Sequence, residues 1–231
     1  MSPLMSYLTA FGLASGVGVK AFIPVLALGA FHHTGYFVLS DRWAWIASPA
    51  VMVVLAVLVL AEILVDSIPE LGELSDTVAY LPKMVVGFIA FAAATGTVDQ
   101  SLLELTGSGL LGTGTAAAAH WMRNGVRRPI RDYVEDVHEG VSRTASVSEA
   151  GVSAVVTGGA IVSPVVGLVL LAVLAGAALM VARALDRRRV PCVHCAEPIR
   201  PGAVICVHCG REQSAGAQTL AGPGTADDPR G

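Results

Sequence analysis

The chain has 231 residues, of which 54% are hydrophobic and only 14% charged, and its mean hydropathy is +0.65. Soluble domains carry roughly 25% charged residues, so this composition excludes an ordinary water-soluble globule and points to lipid as the solvent. The formal net charge of -3 averages an almost uncharged apolar part with polar connections, and no nucleic-acid footprint is expected from it.

Residues 1–40 carry one formal charge, Lys20, within LTAFGLASGVGVKAFIPVLALGAFHH. Gly16, Gly18 and Pro24 interrupt this stretch, so it predicts a helix that enters or crosses the bilayer but is broken. The N-terminus lacks a basic n-region and its apolar stretch runs past signal length, so no cleavable secretory signal is expected. At ~1.5 Å per residue, Lys20 falls ~18–20 Å from either edge of its segment, near mid-bilayer, where a lysine needs a partner. His32 and His33 lie near the segment end, where interfacial solvation is expected.

Residues 43–61 form a cleaner uncharged span that places Trp43 and Trp45 at one interface and ends in EILVDSIPELGELSD. Glu62 and Asp66, four apart, share a helix face. Glu62 is ~26 Å along the helix from Trp45, close to the far interface, so headgroup water is expected to solvate both carboxylates. Asp76 and Lys83 read as plain loop charges. Residues 84–98 give a short third apolar stretch, and LTGSGLLGTGTAAAAHWM, residues 105–122, a weak fourth whose small residues would let helix backbones approach. Gly107, Gly109 and Gly112 spell G-x-G-x-x-G, with Asp132 twenty residues beyond the last. The dinucleotide fingerprint needs a preceding strand and a βαβ setting, neither of which an apolar Gly/Ala segment supplies.

Residues 123–149 form the longest polar connection, with five arginines against five carboxylates, and RRPIRDYVEDVHEGV predicts a solvated amphipathic surface helix. Residues 150–182 are then uncharged. As a single helix they would measure about 50 Å against a hydrocarbon core of ~30 Å, and Pro164 offers the break. Arg187, Arg188 and Arg189 follow directly, so the positive-inside rule places the C-terminus, and equally the connection holding Arg123 and Arg143, in the cytoplasm. Both placements hold if the chain between them crosses an even number of times. A hairpin turning near residues 158–164, re-entrant or fully spanning, meets that condition.

Cys192, Cys195, Cys206 and Cys209, in CVHCAEPIRPGAVICVHC, are the whole cysteine complement. Two Cys-x-x-Cys knuckles suit tetrahedral zinc, because a two-residue gap lets both sulfurs of a pair turn back on one ion. All four positions are filled, so a Zn2+ here is structural, and His194 and His208 inside the knuckles are expected to face solvent. The segment resembles the short zinc ribbons appended to many bacterial proteins, a likeness that implies a fold and not a partner. Residues 214–231 are small, polar and Pro/Gly-containing, and predict a disordered tail.

GVKAFIP and GGAIVSP share a glycine-to-proline spacing, Gly18 to Pro24 and Gly158 to Pro164, and each precedes an aliphatic run. Interrupted hydrophobic segments in two parts of a chain point to a transporter-like binding region, because unwound backbone exposes amides and carbonyls. GVKAFIPVLAL, EILVDSIPELGELSDTV and VVTGGAIVSPVVGLV together resemble the bacterial integral-membrane family known as domain of unknown function 4126, over residues 8–185. The chain departs from that family's pattern at Lys20 and Ser163 and in its long polar connection. The resemblance implies a membrane location and several helices, and no activity.

The expected architecture is therefore all-α: a polytopic transmembrane helical bundle of about 4–6 membrane segments over residues 1–189, a zinc ribbon over 190–213 and the tail over 214–231. Two functions compete. One is a small-solute or ion transporter or channel whose pathway lies near Lys20, Pro24, Glu62, Asp66, Gly158 and Pro164. The other is a membrane adaptor whose helices anchor the ribbon for a cytoplasmic protein partner. No nucleophile with a base and no open metal site supports an intramembrane enzyme. The bilayer is the expected partner, and the sequence fixes neither a substrate nor an oligomeric state.

Overall fold

A computed structural model of the chain describes residues 3–68, 77–96, 102–134, 140–187, 189–199, 203–206 and 208–213. Seven α-helices occupy the described residues: α1 Pro3–Val19, α2 Ile23–His33, α3 Pro49–Asp66, α4 Tyr80–Thr95, α5 Leu102–Val134, α6 Gly140–Val162 and α7 Pro164–Asp186. The stretches Pro49–Asp66, Arg143–Val162 and Pro164–Ala184 are long and apolar enough to cross a membrane. Their outer faces remain uncovered by protein, with Val53, Val57, Leu60 and Leu64 on α3 and Val166, Val169, Val173 and Met180 on α7 exposed, as lipid contact requires.

Helix α1 sits at the centre, packed against α4, α5, α6 and α7. Its Leu13, Ala14 and Val17 are fully buried. Small residues set how close its neighbours come. A Cβ on Gly12 would fall 2.5 Å from Ala160 Cβ, and one on Gly16 would meet Thr157 Oγ1 at 2.7 Å and Pro24 Cγ at 3.1 Å. Where α4 meets α5, a Cβ on Gly87 would reach Ala116 Cβ at 2.5 Å. Such seams suit a medium without a hydrophobic drive between helices, where van der Waals contact at short axial separation does the holding. The G-x-G-x-x-G stretch belongs to this packing. Gly109 and Gly112 admit Phe88, Phe91 and the backbone of Gly87, while Gly107 faces open space.

Consecutive helices run antiparallel. The chain doubles back after α1, since Pro24 returns to Gly16, and α3 retraces α2, with Gly29 beside Met52 at one end and Ala21 beside Glu62 at the other. Phe91 stacks edge-on against Tyr7 and Phe11 while Lys83 reaches Gly18 and Val19, which sets α4 antiparallel to α1. The reversal expected near residues 158–164 occurs at Ser163, between α6 and α7, so that Gly167 lies against Ala160. Each half of this hairpin has a candidate span of 20 or 21 residues, long enough for a full crossing. The breaks of the two hairpins, α1–α2 and α6–α7, lie at opposite ends of the bundle, and each second helix carries a proline in its first turn.

Two sequence expectations are corrected. The connection from Arg123 is no solvated surface helix at its start, because α5 continues unbroken from the apolar stretch to Val134, with Arg123 and Arg127 buried. Lys83 is no loop charge either, since it lies in the first turn of α4 and is only 1% exposed. Asp76, Asp132, Arg188 and residues 214–231 bear on other expectations and lie outside the described residues or side chains.

Among the described residues beyond α7, Val190–Pro191 pairs antiparallel with Pro198–Ile199, and a bridge joins Ile205 to Glu212.

Candidate functional site

The break between α1 and α2 leaves backbone groups without helical partners, and charged side chains supply them. Lys83 Nζ donates to the carbonyls of Gly18 and Val19, at 3.2 Å each, capping the C-terminus of α1. Both oxygens of Glu62 accept from the Ala21 N–H, at 3.0 and 2.9 Å, at the start of α2. A cation at the carbonyl end and a carboxylate at the amide end match the signs of the two helix dipoles. Lys83 and Glu62 are themselves 3.8 Å apart.

Lys20, in the break itself, is fully buried. Its Nζ lies 2.6 Å from Asp66 Oδ2 and 3.8 Å from Glu149 Oε2, and donates to Ser146 Oγ at 3.1 Å. Arg123 Nη2 bridges the same two carboxylates, at 2.8 Å to Asp66 and 2.6 Å to Glu149. Arg127 Nη1 stands 3.5 Å from Asp66 Oδ2 and 3.7 Å from Glu149, while its Nη2 donates to the Asp66 carbonyl at 2.6 Å. His120 continues the cluster, with Nδ1 3.0 Å from Lys83 Nζ and Nε2 3.3 Å from Asn124 Nδ2. Four helices, α3 to α6, and Lys20 in the break thus contribute charges to one buried site.

Glu62 and Asp66 do share a face, as their spacing predicts, but that face is turned inward. Asp66 is 3% exposed instead of solvated by headgroup water. Three cations around it make burial tolerable, which their sequence neighbourhood did not disclose. Of the residues expected near a pathway, Lys20, Glu62 and Asp66 are brought together, and Pro24 packs on Gly16 just beyond the break. Gly158 and Pro164 stand apart. Ala160 abuts Gly12, eight residues or about 12 Å along α1 from Lys20. His33 Nε2 pairs with the Ala47 carbonyl at 2.8 Å and His32 Nδ1 accepts from Leu39 N–H at 3.1 Å, so both histidines fasten the turn after α2.

Lys83, His120, Arg123, Arg127, Ser146 and Glu149 were not anticipated. A signal existed for those on α5. Gly109, Gly112, Ala116, His120, Arg123 and Arg127 follow one another at spacings of three and four, so the packing face and the charged face are one stripe.

The cysteine cluster is built from two similar knuckles. In the first, Ala196 N–H donates to the Cys192 carbonyl at 3.0 Å and Cys192 N–H to the Glu197 carbonyl at 2.9 Å; in the second, Gly210 donates to Cys206 at 2.8 Å and Cys206 to Arg211 at 2.9 Å. Ala196 and Gly210 occupy the matching left-handed position, with φ of 59° and 70°. Glycine suits that conformation and alanine is strained in it. His194 and His208 are exposed.

All four sulfurs lie within 4.8 Å of one another, with Cys192 to Cys209 at 3.8 Å and Cys195 to Cys206 at 3.7 Å. A tetrahedron with metal–sulfur bonds of ~2.3 Å has edges near ~3.8 Å, so the donor set fits a thiolate-bound ion. Burial works against charge at Cys192, yet the N–H groups of His194 and Cys195 and the neighbouring thiols hold it down to about 6. At Cys195 the Glu197 N–H favours the thiolate, but burial and the other three sulfurs push it up to about 12. Four sulfurs this close cannot all ionise without a cation among them.

Residues 7–184 match the family described as Domain of unknown function (DUF4126), a span that runs from α1 into the last turn of α7 and stops before the first cysteine. No curated protein and no solved structure matches the chain.

Proposed function

This chain belongs to the DUF4126 family, and we propose that its helical body is a transporter or channel for a small solute or ion whose path passes the buried charges at the α1–α2 break. The carrying observation is that break itself, whose free backbone ends are held by Lys83 and Glu62 beside Lys20, Asp66, Arg123 and Glu149. Helix breaks whose backbone ends meet charged groups are one way in which membrane proteins recognise ions, and buried charges are an expensive way merely to anchor a chain. The opposed breaks of the α1–α2 and α6–α7 hairpins support the same reading, since inverted hairpins give the two sides of a carrier related structures. We assign the cysteine-bound metal as a structural zinc, because four thiolates leave no open position for catalysis.

A second reading rests on where the family match ends. It stops at residue 184, before Cys192, so the metal module is an addition to the family's body. In that reading the helices anchor a cytoplasmic zinc ribbon that binds a protein partner.

Ion and metabolite flux in proteoliposomes, together with a growth phenotype, separates the two. Transport predicts that Lys20→Ala is defective, that Lys20→Arg recovers part of the flux, and that a chain truncated after Arg189 stays active. A silent Lys20→Ala, with the phenotype abolished by loss of residues 192–209, would establish the adaptor instead.

A further inference from the structure

A cavity of about 590 Å³ lies between α1, α5, α6 and α7, alongside the charge cluster. Its lining runs from Thr115 to Arg127 on α5, twelve residues or about 18 Å, and from Leu171 to Ala178 on α7. Most of this wall is apolar, including Val152 and Leu174. Its charged groups, Arg123, Arg127 and Glu149, sit toward the end of the bundle where α6 begins and α7 finishes. Arg123 and Arg127 are 9% and 8% exposed, so whatever meets them does so largely out of water.

We propose that this cavity binds an amphiphile with one alkyl chain and a single anionic headgroup, a carboxylate or phosphate. The headgroup lies against Arg123 and Arg127 and the chain along Val152 and Leu174. The volume is that of an ordinary small-molecule site. Guanidinium groups present planar forks that fit carboxylate and phosphate oxygens, and their charge gains strength in a poorly hydrated setting. An anion without a tail leaves the apolar wall wet, and a tail with a cationic head brings like charge to a cluster in which Lys20, Lys83, Arg123 and Arg127 outnumber Glu62, Asp66 and Glu149. This inference goes beyond the transport reading, because binding here does not require passage across the bilayer.

The test uses the full chain, metal included, in nanodiscs of neutral phosphatidylcholine, with radiolabelled dodecanoate as the probe. One saturable site per chain is expected, displaced by dodecyl phosphate but not by acetate or dodecyltrimethylammonium. Ala175→Trp, which fills the cavity from α7, and Arg127→Gln should each weaken binding at least tenfold, with melting temperature and gel-filtration profile as controls for folding. Equal displacement by acetate or by the cationic amphiphile overturns the proposal without reference to any variant. So does wild-type affinity in a folded Ala175→Trp chain. Repeating the assay in phosphatidylglycerol nanodiscs tests the single chain: loss of dodecanoate binding means that a two-chain bilayer lipid takes the site and overturns the proposal, and retention supports a free single-chain ligand. Binding that holds while flux is absent leaves this site standing and removes the transport reading, and the converse result does the opposite.

Discussion

Asp66 is the carboxylate on which the cluster turns, with Lys20 at 2.6 Å, Arg123 at 2.8 Å and Arg127 at 3.5 Å from one oxygen. Breaking a buried ion pair by removing one member costs about 3–5 kcal/mol, because the other charge is left in a medium that cannot solvate it. Asp66→Ala strands three cations, whereas Lys20→Met leaves Asp66 with two guanidinium groups. Thermal unfolding in detergent should therefore drop by roughly 6–20 °C for Asp66→Ala and by clearly less for Lys20→Met. A smaller effect at Asp66 than at Lys20 would move the hub of the cluster elsewhere. The sequence disclosed three of the site's nine residues, Lys20, Glu62 and Asp66. An isolated lysine in an apolar stretch demands a partner wherever it sits, which made Lys20 legible, and the four-residue spacing made Glu62 and Asp66 one face. The remaining charges were hidden by their neighbours. Arg123, Arg127 and Glu149 lie among other charges in a segment whose average polarity is that of a solvated helix, and only three-dimensional packing turns them inward.

At the scale of the elements, the bundle depends on small residues in register more than on helix length. Helix α1 needs Gly12 against Ala160 and Gly16 against Thr157, while α4 needs Gly87 against Ala116. Gly114 on α5 and Gly176 on α7 have nothing within 4 Å of a built Cβ. Alanine at Gly114 or Gly176 should be neutral or stabilising by up to ~1 kcal/mol, as expected from helix propensity in open space. Alanine at Gly12 or Gly87 forces two helices apart and should lower the unfolding temperature despite the same propensity gain. Equal responses at all four positions would deny the seams their role. Apolar runs announced α3, α4 and α7, and the prolines announced the breaks at α2 and α7. Helix α5 reads as two segments in the sequence, because its apolar and charged halves differ in composition although they share a single packing stripe.

The whole molecule has two unlike ends. Arg143 opens α6 and Arg183 closes α7, with Arg187 and Arg189 just beyond and Arg123 and Arg127 one level inside, all at the end that carries the charge cluster. At the other end, among the described residues, Arg42 is the single arginine or lysine. The positive-inside rule counts such short flanks, and we propose on that ground that the cluster end, and with it the cysteine module that follows α7, faces the cytoplasm. That orientation would put Ser163, at the turn between α6 and α7, on the outside. A Ser163→Cys chain treated in intact cells with a membrane-impermeant maleimide should be labelled at residue 163, with the four native cysteines reached only after permeabilisation and metal removal. Peptide mapping assigns each label. The two sites sit on opposite sides whichever way the bundle inserts, so the pattern cannot be ambiguous: cysteines 192–209 labelled in intact, metal-stripped cells with residue 163 silent would invert the orientation. It would also remove the adaptor reading, since the ribbon would then have no access to a cytoplasmic partner.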